Sequence, residues 1–264
     1  MGKIPEALSQ SLMNNGGEIF LNSKADKIII KNGRVHGLKV DGQGLVEVDA
    51  VISTASGMAT FSSLLNDEDI PNGMRRKVQS APLSHKALVI QLGLSNLVDV
   101  RSHSNSILPM IDDQYKVFMP DEDDVKWPVY TVPTVTMPEL APRGGSIIEV
   151  FPPIQQNIPA DDWDTQKKER IVISAVRALS RIHDLDIAVK RVIGPKDFQD
   201  RMHLYKGAVY GLSPTADLRA YFPHDSPISG LFQAGQTTYP GYGVSSVAMS
   251  GILAAETVMR TEMM

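Results

Sequence analysis

The residues best suited to chemistry lie in a glycine-rich stretch near the C-terminus, residues 235–246. Gly241, Gly243 and Pro240 keep this stretch out of regular structure. An apolar strand pattern precedes it and a helical pattern follows it, and the first N–H groups of a helix have no intrahelical partner. The spacing Gly241-x-Gly243-x-x-Ser246 is close to that of a nucleotide-binding turn. It predicts an anion site, and a tight turn before a packing helix is the alternative.

A strand and a helix must position this turn. Residues 231–234 form a short apolar run that predicts a strand, and a helical pattern starts at about Val247. Small residues at Ala248, Gly251 and Ala255 recur at helical spacing, so we expect the helix to lie close against a sheet.

The sequence AGQTTYPGYGVSSVAMSGILAAE, residues 234–256, resembles the C-terminal flavin motif of the superfamily of FAD-dependent amine oxidases and phytoene desaturases. It is most similar to the phytoene desaturase-like branch. The resemblance implies an FAD-dependent oxidoreductase. It places Gly235 and Gln236 near the ribityl–pyrophosphate part of FAD, and Tyr239 and Tyr242 facing the isoalloxazine. The full set that the resemblance assigns to the cofactor in this stretch is Gly235, Gln236, Thr237, Tyr239, Gly241, Tyr242, Gly243, Val244 and Ser245.

Residues 1–57 carry a second match to the same superfamily. A predicted helix over 4–15 ends at Gly16-Gly17, a strand is predicted over 18–22, and Asn32-Gly33 predicts a hairpin. The resemblance implies that Ala25 meets the adenine edge through its backbone and that Thr54 and Ala55 lie near the dinucleotide. A β-meander beside a nucleotide-binding sheet is the structural alternative.

The glycine-rich strand–turn–helix unit that holds the FAD pyrophosphate in this superfamily does not occur in the chain. Residues 1–57 therefore resemble the family pattern from a point after its first unit. Such a match is expected of a truncated protein, a fragment or a chain whose N-terminal half is supplied separately. We expect weaker FAD binding and an exposed sheet edge. The expected partners are a second copy of the chain or a missing N-terminal partner.

The implied fold class is α/β (α+β). We expect a partial, discontinuous Rossmann-like FAD-binding domain over 1–57 and 195–264. Residues 58–194 resemble the inserted substrate domain, an antiparallel sheet backed by helices. Its strands are predicted over 86–94, 115–119, 129–135, 146–151 and 187–193, and its long helix is predicted over 165–182.

The segment Tyr205-Lys206-Gly207-Ala208-Val209-Tyr210-Gly211 resembles one that the desaturase-like branch places beside the flavin. Tyr205, Lys206 and Tyr210 are therefore candidates to border the cavity of a small apolar or amine substrate, and a packed loop is the alternative. The implied reaction is hydride transfer to flavin, and no catalytic residue can be named. The competing hypothesis is a non-catalytic remnant that self-associates or binds another ligand without FAD.

Composition restricts the remaining possibilities. The chain has 264 residues, 42% hydrophobic, and a net charge of −4, so nothing indicates a nucleic-acid partner. No apolar run approaches the roughly 20 residues that span a bilayer. The absence of cysteine excludes disulfides and thiolate catalysis and fits a cytoplasmic location. The six histidines are scattered without metal-ligand spacing.

Overall fold

The computed structural model describes residues 2–107 and 125–262, which fall into two compact units. Unit 1 comprises residues 1–80, 223–234 and 251–264, and unit 2 comprises residues 81–222 and 235–250. Together they contain helices and mainly antiparallel sheets, as expected for an α+β protein. Within the described ranges, no helix combines the length and the apolar character needed to cross a membrane.

Unit 1 contains a three-stranded antiparallel meander. Its strands are β1 (Ala25–Lys31), β2 (Arg34–Val40) and β3 (Gly44–Glu47), in that spatial order. Asn32 and Gly33 both have positive φ, 52° and 76°, which is the backbone of a tight hairpin turn. The predicted hairpin is therefore confirmed.

A second sheet of unit 1 has two parallel strands, β4 (Val51–Ser53) and β10 (Leu231–Gln233). All three residues of β10 are fully buried, whereas Ile52 in the middle of β4 is 44% exposed. This difference marks β10 as the inner strand and β4 as the outer one.

The N-terminal part of unit 1 contains helices α1 (Lys3–Asn14), α2 (Gly57–Ala59) and α3 (Asn72–Gln79), and α2 continues into a π-helical turn over Thr60–Leu64. Met58, Phe61 and Leu65 are buried around that turn. The ammonium of Lys27 in β1 donates to the backbone carbonyls of Ser63 and Leu65 at 2.9 Å, which ties the meander to the turn.

Unit 2 is built on a five-stranded antiparallel sheet in the order β6-β7-β8-β5-β9. The strand bounds are Val89–Leu94 for β5, Ser104–Ser106 for β6, Val129–Thr131 for β7, Ser146–Phe151 for β8 and Ile187–Ile193 for β9. Its core joins Ile90, Leu92 and Ile148 of the sheet to Ile171 and Leu179 of a helix.

That helix is α4 (Thr165–Leu179), and α5 (Pro195–Met202) follows β9. The carboxylate of Asp164 accepts a hydrogen bond from the Lys167 N–H at 2.7 Å, so Asp164 is the N-cap of α4. The last helix, α6 (Val244–Glu262), begins in unit 2 and ends in unit 1.

Several sequence predictions need correction. Residues 18–22 form no strand, and Phe20 and Leu21 are exposed. Beyond Thr131 the strand predicted over 129–135 gives way to a short 3-10 helix that starts at Pro133, because proline has no N–H for a sheet. The strand predicted over 115–119 lies outside the described residues.

The final helix also differs from its prediction. It begins three residues before the predicted start. The small residues expected to face a sheet, Ala248, Gly251 and Ala255, are all exposed, and the buried positions are Ser250 and Ala254 instead. The face was misassigned because small residues recur on both sides of this helix.

Candidate functional site

The glycine-rich turn is fixed internally by a buried hydroxyl network. The Gly235 N–H donates to Ser250 Oγ at 2.8 Å, and Thr238 Oγ1 donates to the Gly235 carbonyl at 2.7 Å. The Thr238 and Ser250 hydroxyls lie 2.6 Å apart, and both residues are fully buried. The network therefore ties the beginning of the turn to the second turn of α6.

Neighbouring segments of unit 2 support the same turn. The Phe222 N–H donates to the Thr237 carbonyl at 2.9 Å. A methyl group on Gly211 would lie 2.6 Å from Thr237 Cγ2, and one on Gly241 would lie 3.0 Å from the Tyr221 hydroxyl. Gly211 thus permits close approach to the buried Thr237, and Gly241 permits close approach to Tyr221.

Gly243 has a different role. Its φ of +99° is one that side chains rarely adopt, and a methyl group there would meet nothing within 4 Å. Helix α6 begins at the next residue, and its first turn exposes Val244 and Ser245. The N–H groups of such a turn have no intrahelical partners and favour an anion or another acceptor. The open backbone at Gly243 leaves room for a ligand to approach them.

An aromatic cluster joins two of the predicted site residues. The rings of Tyr242 and Tyr210 are stacked with centroids 4.6 Å apart and an angle of 24° between their planes. His85 meets Tyr210 edge-on at 5.1 Å. The structure thus brings a residue assigned to the cofactor, Tyr242, against one assigned to the substrate, Tyr210.

Sequence reasoning missed His85 because its contact depends on tertiary structure. Residues 83–86 run antiparallel to residues 208–212, with the Tyr210 N–H donating to Ser84 Oγ at 2.9 Å. Next to His85, Lys86 donates to the Gln156 carbonyl at 2.6 Å, and burial lowers the pKa of this lysine.

The other two residues assigned to the substrate contact each other. The Lys206 ammonium lies 5.4 Å from the centroid of the Tyr205 ring, and Lys206 is exposed with a φ of 51°. Their assignment to a substrate cavity stays a prediction.

The predicted cofactor residues in the N-terminal part lie in unit 1. Ala25 begins β1, where it pairs with Val40, and it is half-buried. Thr54 and Ala55 directly follow β4. Thr54 is exposed, whereas the preceding Ser53 is buried with its hydroxyl 2.9 Å from that of Thr60. Whether Ala25, Thr54 and Ala55 contact a cofactor stays a prediction.

Gln233, the last residue of β10, was also missed. It is fully buried, yet neither its amide oxygen nor its amide nitrogen has a hydrogen-bond partner among the described residues. An unpaired buried polar group costs about 1–3 kcal/mol, so such a group indicates a place for a polar partner. The sequence signal that could have identified Gln233 is its position as a polar residue inside an otherwise apolar strand pattern.

A separate cleft of about 700 Å³ lies in unit 2. It is lined mainly by apolar residues, including Val98, Val100, Val132 and Pro138, with Arg143 among its charged residues. None of the predicted site residues lines it. Within the described part of the chain, no group of three or more His, Asp or Glu side chains could hold a metal ion.

Comparisons with known proteins identify relatives over nearly the whole chain, although no protein-family model matches. A 4,4'-diapophytoene desaturase from Methylomonas is 24% identical over 273 residues, covering 98% of this chain and 52% of the relative. A neurosporene-forming phytoene desaturase from Rhodobacter capsulatus is 28% identical, covering 97% of this chain and 52% of the relative. A prolycopene isomerase from Daucus carota is 25% identical and covers 98% of this chain. The chain thus spans about half the length of the relatives it matches.

Solved structures share the fold. An oxidoreductase from Methanosarcina mazei superposes with a TM-score of 0.63 at 17% identity, covering 95% of this chain and 53% of that protein. Putrescine oxidase, in complex with putrescine, superposes with a TM-score of 0.60 at 13% identity, covering 98% of this chain and 53% of that protein. The chain is therefore similar in sequence to phytoene desaturases over nearly its whole length and similar in fold to an amine oxidase, which agrees with the resemblance of its two sequence motifs.

Proposed function

We propose that this chain forms the C-terminal, flavin-contacting part of an FAD-dependent oxidoreductase of the phytoene desaturase-like type. The observation that carries the proposal is the turn over residues 235–243. A buried hydroxyl network fixes this turn, which leads into an open helix start at Gly243. A turn held by buried hydrogen bonds keeps its backbone donors in place before a ligand arrives, which lowers the cost of binding.

The residues present fit the polar part of a flavin nucleotide. The N–H groups of Val244 and Ser245 are donors at an exposed helix N-terminus. In this proposal Gly235 and Gln236 lie along the ribityl–pyrophosphate part, Tyr239 and Tyr242 face the ring, and Ala25, Thr54 and Ala55 lie toward the adenosine part.

The bound flavin would supply the redox chemistry by accepting a hydride from a C–H bond of the substrate. The contribution of the chain is to bind, to orient and to exclude water. No side chain is assigned as an acid or base. Tyr210 stacks on Tyr242, and the pair presents an aromatic surface suited to an apolar or planar molecule.

The proposed substrate class is a small apolar or amine molecule bordered by Tyr205, Lys206 and Tyr210. The similar proteins include enzymes named for phytoene and for putrescine, an apolar and an amine compound. In this proposal residues 1–57 and 195–264 form the partial Rossmann-like FAD-binding domain, and residues 58–194 form the inserted substrate domain.

The partner proposal follows from the missing glycine-rich unit. Without its backbone donors, the pyrophosphate loses the contacts that anchor FAD in Rossmann-like domains. We therefore expect the chain alone to bind FAD weakly. Tight binding requires a second segment, either an N-terminal partner or another copy of the chain.

The test is a visible absorption spectrum of the purified chain before and after incubation with excess FAD. The expected result is a saturable change in the flavin spectrum on incubation with FAD, because we expect the chain alone to bind FAD weakly. A chain that stays colourless and does not change the fluorescence of added FAD would contradict the cofactor proposal and favour a protein that binds no FAD.

A further inference from the structure

The five-stranded sheet of unit 2 has two different faces. Alternate residues of its strands, such as Ile90, Leu92 and Ile148, pack with helix α4 in the core. The residues between them lie on the opposite face, which we call the open face. Among the described residues, none of the apolar side chains of the open face belongs to that core, and Phe151 and Val189 are 41% and 65% exposed.

We infer that the open face binds a molecule with an apolar body and a cationic group, and that Glu149 receives the cation. The site is distinct from the glycine-rich turn, because all of its residues belong to the sheet. The inference therefore goes beyond the proposed function and can be tested without bound flavin.

The strand register places a row of polar residues across the middle of the open face. Glu149 of β8 is paired with Thr131 of β7 on one side and with Gln91 of β5 on the other. Gln91 is in turn paired with Arg191 of the edge strand β9. Neighbouring strands lie about 4.8 Å apart, so this polar row extends over roughly 14 Å.

Apolar residues flank the polar row on both sides. On the side toward the C-terminal end of β8 they are Val89, Val129, Phe151 and Ile193. Phe151 lies about 7 Å from Glu149 along β8, since a strand rises about 3.4 Å per residue. On the other side Ile147 and Val189 are both paired with Gly93. A ligand whose polar group meets Glu149 would therefore lay its hydrocarbon part on Phe151 and its neighbours.

The half-buried carboxylate of Glu149 has unused acceptor capacity. One oxygen accepts a hydrogen bond from Gln91 Nε2 at 2.8 Å, whereas the other has only a long contact of 3.5 Å with Thr131 Oγ1. Among the residues that the structure describes, Glu149 forms no salt bridge. Arg191, the other charged member of the polar row, lies on the far side of Gln91. The second oxygen is therefore open to a donor from a ligand.

Charge complementarity identifies the kind of group that fits. Other acids of unit 2 have lysine partners, because Asp197 pairs with Lys168 at 3.0 Å and Glu169 pairs with Lys190 at 2.7 Å. A carboxylate that is partly removed from water is costly without such a cation. At Glu149 a ligand ammonium would supply it, whereas an anionic group would be repelled and a neutral group would leave the charge uncompensated.

The test is isothermal titration calorimetry of the flavin-free chain with n-octylammonium chloride and, for comparison, with 1-octanol. The two probes share an alkyl chain, and only octylammonium carries a charge. We expect the wild type to bind octylammonium at least tenfold more tightly than octanol. Glu149→Gln, which removes the charge and keeps the shape of the side chain, should weaken octylammonium binding at least tenfold. Its octanol binding should stay unchanged, which also shows that this variant is folded.

Two further variants locate the site. Phe151→Ala should weaken the binding of both probes, because it removes apolar contact surface and no charge. The matched control is Glu139→Gln, which removes the charge of an exposed acid outside the sheet and should bind both probes like the wild type.

Five results would overturn the inference. They are no saturable binding of octylammonium by the wild type, equal affinity for the two probes, wild-type affinity of the Glu149 variant, a loss of binding in the Glu139 variant, and sedimentation of the wild type as a dimer that Phe151→Ala converts to a monomer. The last result would show that a second copy of the chain covers the open face.

Discussion

At the scale of single residues, Ser250 is the position on which the turn most depends. Its hydroxyl accepts from the Gly235 N–H and lies 2.6 Å from the Thr238 hydroxyl in a fully buried setting. Ser250→Ala leaves the Gly235 N–H buried without an acceptor, so we expect a loss of about 1–3 kcal/mol in unfolding free energy. Urea denaturation measures it.

The control for this prediction is Ser245→Ala on the exposed first turn of the same helix. A surface change of this kind should stay within about 0.5 kcal/mol of the wild type. Equal stability of the Ser250 and Ser245 variants would show that the hydroxyl network contributes nothing to the fold.

His183 provides a pH-dependent contribution to stability. Its Nε2 lies 2.7 Å from the Tyr130 hydroxyl, and burial lowers its pKa below the ordinary 6.5. The unfolded chain therefore takes up a proton at this histidine before the folded chain does. The contribution of His183 to the free energy of unfolding is therefore fully present above pH 6.5, and it is lost as the pH falls below 6.5.

We expect His183→Gln to reduce this acid-dependent loss, because glutamine does not titrate. Thermal unfolding of both chains between neutral and mildly acidic pH measures the difference. His103→Gln, at an exposed position, serves as the control. If the His183 variant follows the same pH profile as the wild type, this histidine is not the source of the effect.

At the scale of elements, helix α4 is set by its N-cap. Asp164 accepts from the Lys167 N–H, whereas the nearby Asp162 lies outside the helix and is exposed. Asp164→Ala should lower the unfolding free energy by about 1 kcal/mol, and Asp162→Ala should change it little. Chemical denaturation of both variants tests this, and equal effects would argue against the cap.

Elements with local signals could be predicted from the sequence. The long helix of unit 2 was predicted over 165–182 and found over Thr165–Leu179, because its apolar period and its acidic N-cap are both encoded nearby. The prediction of the Asn32-Gly33 hairpin was confirmed for the same reason, because its turn residues are adjacent in the sequence. Residues 18–22 have a β-rich composition but pair with no strand in the part of the chain that the structure describes, and strand propensity depends on such neighbours.

The site was predictable only where its signal was a motif. The glycine-rich stretch and the helical pattern after it located the turn and the start of α6 to within three residues. Other contacts of the site join segments that are distant in sequence or fixed by packing. They are the stacking of Tyr242 on Tyr210, the edge contact of His85 with Tyr210 and the hydrogen bond from the Gly235 N–H to Ser250. A single sequence carries no local pattern for such contacts.

At the scale of the whole molecule, the chain spans about half the length of the relatives it matches. Unit 2 carries the turn with the open helix start, which is the feature that we connect with a cofactor.

The most direct test of the central claim is an equilibrium titration of FAD, followed by flavin fluorescence, with the wild type, Gly243→Ala and Gly251→Ala. Both variants add one methyl group in open space. Only Gly243 has a positive φ, +99°, at which a residue with a side chain is strained. We predict saturable binding by the wild type and by Gly251→Ala. Gly243→Ala should bind about tenfold more weakly or worse, equivalent to at least about 1.4 kcal/mol. No saturable binding by the wild type, or equal affinity of all three chains, would contradict the assignment of this turn to a flavin.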